Sequence, residues 1–450
     1  MGSIDAPFVP GSFVTTGHSS GLRHIGLIDH VTLTDTGALS GEGRVLGSID
    51  ADGNLTTSRA SPFFETALLK ATADEIESVY QAAGATLGVG TLVETPEIEA
   101  KLIPSRFNRH TFWCGQSGSG KTYALGVVLE QLLIHTALPM VIFDPNADFV
   151  RLRDLRSDSQ TDAHRALRGR DIRVLRPGGQ GPEALRARFR DFSMQSRAAV
   201  LRLDPIVDRD EYNVLTRVTG DKDIDREGIL PALRANDDPA ADLLIKRVEN
   251  LRMADWTVWA HGGADVNTVL DERPDATVLD IGGFAYHPGE KLVIALAVLD
   301  DLWAKREARR PILIVIDEAH NLCSPDNDSP LHRAVRERII QIAAEGRKFG
   351  LWLLLSTQRP SKIHPSILSQ CDNLALMRMS SPVDLTELAT VFGFVPPSML
   401  ARSPRFQQGE ALFAGGFVPA PTLLKVQDRL THEGGSDVGV PPALMSPPTD

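Results

Sequence analysis

Apolar and polar positions along the chain change their period near residue 109. From residue 24 to about 57, short alternating segments are punctuated by Thr36-Gly37 and Asp52-Gly53-Asn54, a pattern that predicts a small antiparallel β unit with hairpin turns. A helix is predicted next, capped at Thr72 and carrying Ile76, Val79 and Ala83 on one face. Glu75, three residues past Thr72, completes a capping box. Pro96 and Pro104 mark the passage to a different pattern. From residue 109, short apolar runs alternate with helical stretches, which predicts an α/β fold with a mainly parallel sheet. The strands expected are 111–114, 139–143, 277–281, 312–316, 351–356 and 374–379. Strand signals nearly vanish between Pro145 and Asp275, so residues 145–275 read as a helical insertion. The domain plan is a β-rich unit over 1–105, an α/β unit over 106–432 and a flexible, Gly/Pro/Ser-rich tail over 433–450.

Composition narrows the class. With 450 residues, 42% of them hydrophobic, the chain can bury a sizeable core without covalent staples. Its three cysteines, Cys114, Cys323 and Cys371, form no CxxC pair, which argues against a disulfide scaffold or structural zinc and for a reducing compartment. Apolar runs such as 138–143 and 351–355 fall far short of the ~20 residues of a membrane helix. The first residues lack the pattern of a signal peptide, so a cytoplasmic protein with no membrane partner is expected. The net charge of −11 speaks against a simple basic nucleic-acid-binding domain. That charge is uneven: residues 1–100 hold 4 Lys+Arg against 13 Asp+Glu, whereas 151–202 hold 13 Arg against 6 acids. The second stretch is either a set of solvated helix faces or a surface for a polyanion.

The chemistry is concentrated in three segments. Gly115-Gln116-Ser117-Gly118-Ser119-Gly120-Lys121-Thr122 fits GxxxxGK[ST] at every position, between a predicted strand and a helix opened by Tyr123. Such a loop turns successive backbone N–H groups toward one anion at the positive end of a helix dipole. Lys121 is suited to the β- and γ-phosphates of ATP, and Thr122 to Mg²⁺. The second segment is Ile312-Leu313-Ile314-Val315-Ile316-Asp317-Glu318, an apolar strand delivering two carboxylates at its C-terminal end, where open α/β sheets bind ligands. Asp317 is expected to hold the Mg²⁺ shell and Glu318 to polarise the attacking water. The third is Leu353-Leu354-Leu355-Ser356-Thr357-Gln358, whose Gln358 can orient that water and sense the γ-phosphate. His320 and Asp144 read as turn residues. For an arginine that stabilises the transition state, Arg347, Arg402 and Arg405 are the candidates.

The phosphate loop, the IVIDEAHNL segment and the run from Gly346-Arg347-Lys348-Phe349-Gly350 through STQRPSKIHPSILSQCDNLALMRM resemble the HerA family of the HerA/FtsK superfamily over about residues 108–425. The resemblance implies a RecA-like P-loop (ASCE) ATPase core with a helical insertion. It also implies a HAS-barrel-like β-rich N-terminal unit and a hexameric ring that pumps double-stranded DNA. By this resemblance Lys121 and Thr122 take the Walker A roles, Asp317 and Glu318 the Walker B roles, and Gln358 ends the next core strand. Arg347 falls on a basic position of the family pattern that serves either its own site or a neighbour's. Family members work with nucleases in DNA end processing, and some stand beside nuclease or sirtuin-like NADase effectors in antiphage defence. Neither activity is visible in these residues, so it would come from a partner. Pore residues are sought in the insertion or near Lys362 and His364. A ring that serves as an ATP-dependent platform for an effector, without processive pumping, is the alternative, and a pump for another polymer is a third reading. The chain has no LSGGQ-like segment, which disfavours a transporter ATPase.

Overall fold

The computed structural model describes residues 8–16, 23–33, 35, 39–50, 54–57, 68–218, 228–284 and 286–435. The expected turns at Thr36-Gly37 and Asp52-Gly53, and the tail beyond residue 435, lie outside these. The N-terminal strands are β1 (Phe13–Thr16), β2 (Arg23–Leu33), β3 (Leu39–Ile49), β4 (Leu55–Thr56) and β5 (Leu68–Lys70). They form an antiparallel sheet in the order β4-β3-β2-β1-β5. Helix α1 (Ala73–Ala83) follows with the capping box in place: Glu75 N donates to Thr72 Oγ1, and Thr72 N donates to the Glu75 carboxylate. Gly84 closes the helix at φ +71°, in the left-handed region open to glycine. The N-terminal sheet is tied to the rest of the chain by Arg402, which donates to Pro10 O (2.8 Å) and pairs with Glu94 (2.7 Å).

The second sheet has the order β10-β11-β9-β12-β13-β8-β14-β15-β16-β6-β7. Its parallel part comprises β10 (Ile172–Leu175), β11 (Ala276–Asp280), β9 (Met140–Asp144), β12 (Ile312–Ile316), β13 (Leu351–Thr357), β8 (His110–Cys114) and β14 (Cys371–Leu376). Strands β8, β9 and β12 are buried along their full length, which is why they appear in the sequence as unbroken apolar runs. Helices α2 (Lys121–His135), α3 (Gly289–Ala304) and α4 (Pro330–Glu345) are among those that cover this part. All six expected strands are found. Antiparallel strands β15 (Glu410–Gly415), β16 (Thr422–Val426), β6 (Leu87–Leu92) and β7 (Glu99–Leu102) continue the sheet beyond β14. Residues 87–102 therefore pair with the large sheet, although the plan read from the sequence put them with the first β unit. The stretch 145–275 also differs from a purely helical reading, because β10 forms the sheet edge within it.

All three cysteines are buried and unpaired. Among the described residues no helix is long and apolar enough to cross a membrane. The Arg-rich stretch is largely neutralised on its own surface. Arg153 approaches Glu183, Arg165 pairs with Asp162, Arg170 with Asp275, and Arg173 with Asp171 and Glu272. This matches solvated faces rather than a free basic patch.

Candidate nucleotide site

Strands β8, β12 and β13 lie side by side in parallel, so their C-terminal ends open on one cleft. The phosphate loop leaves β8 there. Gly118 and Gly120 hold φ of +71° and +87°, which bends the loop back onto the start of α2. Gly115 packs so closely on Met377 that a Cβ would stand 2.5 Å from it. Gln116 is held at both ends: its N–H donates to Arg378 O (2.9 Å), and its Oε1 accepts from Ser380 N (3.2 Å). Ser117 is exposed at the turn. Ser119 O accepts from Gly409 N (3.0 Å), while the buried Ser119 Oγ has no hydrogen-bond partner.

Lys121 is buried at the centre. Its Nζ donates to Asp317 Oδ1 (3.0 Å) and Ser356 Oγ (2.8 Å), and lies 3.2 Å from Glu318 Oε1. Ser356 Oγ in turn donates to Asp317 Oδ1 (2.7 Å). Burial pulls the Lys121 ammonium down, but Asp317 and Glu318 outweigh it and hold the group above its ordinary value. The other Asp317 oxygen, Oδ2, is buried without a partner. Thr122 stands in the first turn of α2, and Tyr123 lines the cleft while its hydroxyl meets Asp428 Oδ1 (3.2 Å).

Glu318 has a backbone φ of +44°, an unfavourable region for a residue with a Cβ that costs roughly 1–3 kcal/mol. Adjacent hydrogen bonds impose it: Asp317 N donates to Phe143 O (3.1 Å) and Ala319 N to Ser356 O (2.8 Å). The side chain accepts from Gln358 Nε2 (2.8 Å), and its Oε2 lies 3.2 Å from His320 Nδ1. Burial pushes the Glu318 carboxyl up, but His320, Lys121 and Gln358 more than reverse this and bring it to about 2. His320 is therefore more than a turn residue, since it touches Glu318 and also meets Thr357 Oγ1 (3.1 Å). Asp144 does act at a turn, accepting the Asp148 and Phe149 amides at 2.9 and 2.8 Å. Asp148, on the cleft wall, is pushed up to about 7 by burial and by the charges of Asp317, Asp144 and Glu433.

The cleft encloses about 720 Å³ and runs from the loop past Tyr123 to Gln408, Lys425 and Asp428. Its far wall carries Glu433 and Gly435 from the C-terminal segment. That segment is anchored on α2 by a fully buried ion pair, Arg429 Nε to Glu130 Oε1 (3.4 Å). Glu130 also accepts the Leu430 and Thr431 amides, both at 2.9 Å. Gly126 makes room for this pair, because a Cβ there would lie 2.4 Å from the Arg429 guanidinium carbon.

The residues fit a nucleotide with its metal. The loop amides and Lys121 would supply phosphate contacts, and Thr122 with the unpartnered Asp317 Oδ2 would supply oxygen ligands for Mg²⁺. Among the described residues no group of three or more His, Cys, Asp or Glu is arranged to hold a metal.

Arg347 lies elsewhere. It precedes β13, whereas Gln358 follows it. At about 3.3 Å per residue the two are ~20 Å or more apart along the strand, too far for Arg347 to act in its own cleft. Its exposed guanidinium pairs with Asp372 (2.7 Å), which Arg109 approaches at 4.0 Å. Arg402 is engaged with the N-terminal sheet, and Arg405 is exposed. Lys362 pairs with Asp326 (2.7 Å), and His364 caps a short helix at Ser366 N. Ser356, Arg378 and the Glu130–Arg429 pair are site features that sequence reasoning missed.

Comparison with known proteins agrees with this geometry. Residues 87–221 match the family model described as the central domain of helicase HerA. A probable helicase of Methanocaldococcus jannaschii is 24% identical over 430 residues, covering 89% of this chain and 78% of the relative. The DNA double-strand break repair helicase HerA of Pyrococcus furiosus is 23% identical, over 88% and 80% of the two chains. Among solved structures, VirB4 of Thermoanaerobacter pseudethanolicus shares the fold at a TM-score of 0.51 and 15% identity, over 76% of this chain and 96% of that one. The bacterial conjugative coupling protein TrwB does so at 0.51 and 12%, over 78% and 91%. A phosphate loop, paired acids and strand-end glutamine meet in one cleft, the arrangement of a P-loop ATPase, and the chain is similar along most of its length to HerA helicases.

Proposed function

We propose that this chain hydrolyses ATP with Mg²⁺ and, as a ring of its own copies, moves double-stranded DNA. The convergence of Lys121, Asp317, Glu318 and Gln358 on one cleft carries the reading. The DNA assignment draws on the relatives, which are named as DNA double-strand break repair helicases.

The loop amides and Lys121 bind and orient the β- and γ-phosphates, with Gly115, Gly118 and Gly120 shaping the cradle. Thr122 and Asp317 would hold Mg²⁺, which would supply positive charge against the phosphates. Glu318 takes the proton of the attacking water, which Gln358 orients. With Lys121 and His320 against it, Glu318 is a weak base. Moving Lys121 onto the phosphates removes one of the contacts that hold its pKa low, so arrival of the nucleotide strengthens the base.

A phosphoryl-transfer site needs further positive charge at its transition state. Arg347, remote from its own cleft, is assigned to a neighbouring copy's cleft. Such a head-to-tail interface generates a ring when its rotation closes, and six copies are the expected number. A nuclease or sirtuin-like NADase effector, acting in DNA end processing or antiphage defence, is the proposed protein partner.

The test is the steady-state ATPase rate with and without linear double-stranded DNA, at low and physiological salt, with native mass on the same sample. Stimulation by DNA in a six-fold assembly, weakening steeply with salt, is expected. A ring with DNA-indifferent hydrolysis would favour the effector platform. A monomer that hydrolyses at full rate without DNA would contradict both.

A further inference from the structure

Resting on the nucleotide reading, we propose that Arg378 is a positioning residue of the phosphate loop and a source of positive charge that Lys121 does not supply. In the cleft Lys121 faces two carboxylates, Asp317 and Glu318, and Asp148 and Glu433 add negative charge to the wall. An incoming triphosphate is itself an anion, so the loop needs a cation that is not already neutralised. Arg378 is such a cation against the loop itself, as Lys425, which donates to Gln408 O, is on the far wall. Its Nη2 donates to the Gly118 carbonyl (3.2 Å), its Nε is buried without a hydrogen-bond partner, and among the described residues no carboxylate pairs with it. Of the arginines the sequence suggested for the transition state, Arg347 is paired with Asp372 and Arg402 with Glu94, while Arg405 is exposed.

The position is built rather than incidental. The segment 377–380 leaves the end of β14 and runs along the back of the loop. Met377 N donates to Cys114 O (2.8 Å), Arg378 O accepts Gln116 N (2.9 Å), and Ser380 N donates to Gln116 Oε1 (3.2 Å). Buried Ser403 fixes the same segment by accepting Met379 N at 3.0 Å. Within a trans peptide the carbonyl and the amide point opposite ways. Holding the Gly118 carbonyl outward therefore turns Ser119 N–H inward, where it meets Gln116 O at 3.2 Å and can be redirected to phosphate. The guanidinium thus sets the direction of one loop amide and adds a charge within a few ångströms of the loop.

The experiment is calorimetric titration of the full chain with MgADP and with a non-hydrolysable MgATP analogue, without DNA, for R378Q, R378K and K121A, alongside thermal melts. R378Q is expected to weaken both nucleotides by roughly tenfold to a hundredfold. It should also flatten the salt dependence of binding while the nucleotide-free melting temperature stays put. R378K keeps the charge and loses the fork, so a smaller loss, about threefold to tenfold, is expected. Should R378Q melt early, R378K carries the test. An affinity and salt slope unchanged in R378K, or in a well-folded R378Q, would overturn the proposal. If K121A also left affinity unchanged, the nucleotide reading itself would fall.

Discussion

The two ends of the large sheet are built on opposite terms. At the N-terminal ends of β8 and β13, buried His110 is fully satisfied: Leu353 N donates to its Nδ1 (2.9 Å) and its Nε2 faces Ala343 O (3.0 Å). The C-terminal ends hold Glu318 in a left-handed backbone, and Ser119 Oγ and Asp317 Oδ2 buried without partners. Strain and unmet hydrogen bonds collect where a ligand can relieve them. The satisfied end carries instead an exposed cation, Arg347, with no use in its own cleft. One end is an unfinished binding site, and on the proposed reading the other offers the piece that finishes a neighbour's.

The largest expected effects come from one change at each end. Glu318→Gln should lower kcat by roughly 10²–10⁴, and Arg347→Ala by on the order of 10³, both leaving nucleotide affinity within about threefold by titration. Loss of affinity in Arg347→Ala would place that residue at the cleft and break the contrast. Next comes the C-terminal segment that walls the cleft. Arg429→Ala strands the buried Glu130 carboxylate, and should cost about 3–5 kcal/mol in denaturant unfolding. A loss below ~1 kcal/mol would mean the segment is not anchored as described.

Smaller effects follow from titration. The pKa of Asp148 is raised to about 7, so it is protonated below that pH and charged above it, where it repels phosphate. Nucleotide affinity should fall as pH rises through 7. Asp148→Asn should remove that dependence, tightening binding at pH 8 by up to about tenfold and changing little at pH 5.5. Burial holds His110 down, at about 4. The unfolded chain takes up this proton below about 6.5 and the folded one does not, so stability drops as pH falls from there toward 4. His110→Gln should flatten that part of the melting profile.

The sheet was legible in the sequence wherever a strand is buried on both faces, as at 312–316, because burial leaves an unbroken apolar run. Strand β10 was not, because a four-residue edge strand carrying Arg173 has no such run. The partners of β6 and β7 were hidden for a different reason: they join the sheet through β16, more than 300 residues later. Within the site, the residues proposed to contact phosphate or water were readable because their spacing is local. Ser356, Arg378 and Arg429 were not, since each acts through a contact across 39 to 299 residues. The φ of Glu318 is set by its neighbours in β9 and β13, and no local pattern announces it.

The most direct test of the shared site mixes two inactive proteins. Subunits carrying Glu318→Gln and subunits carrying Arg347→Ala are combined one to one under conditions that allow exchange, and ATPase is measured. If Arg347 completes a neighbour's cleft, about a quarter of randomly assorted interfaces hold both intact residues, and hydrolysis should recover to a comparable fraction of the unsubstituted rate. Activity that stays at the level of the separate variants, despite exchange seen by native mass, would contradict a cleft finished by the adjoining copy.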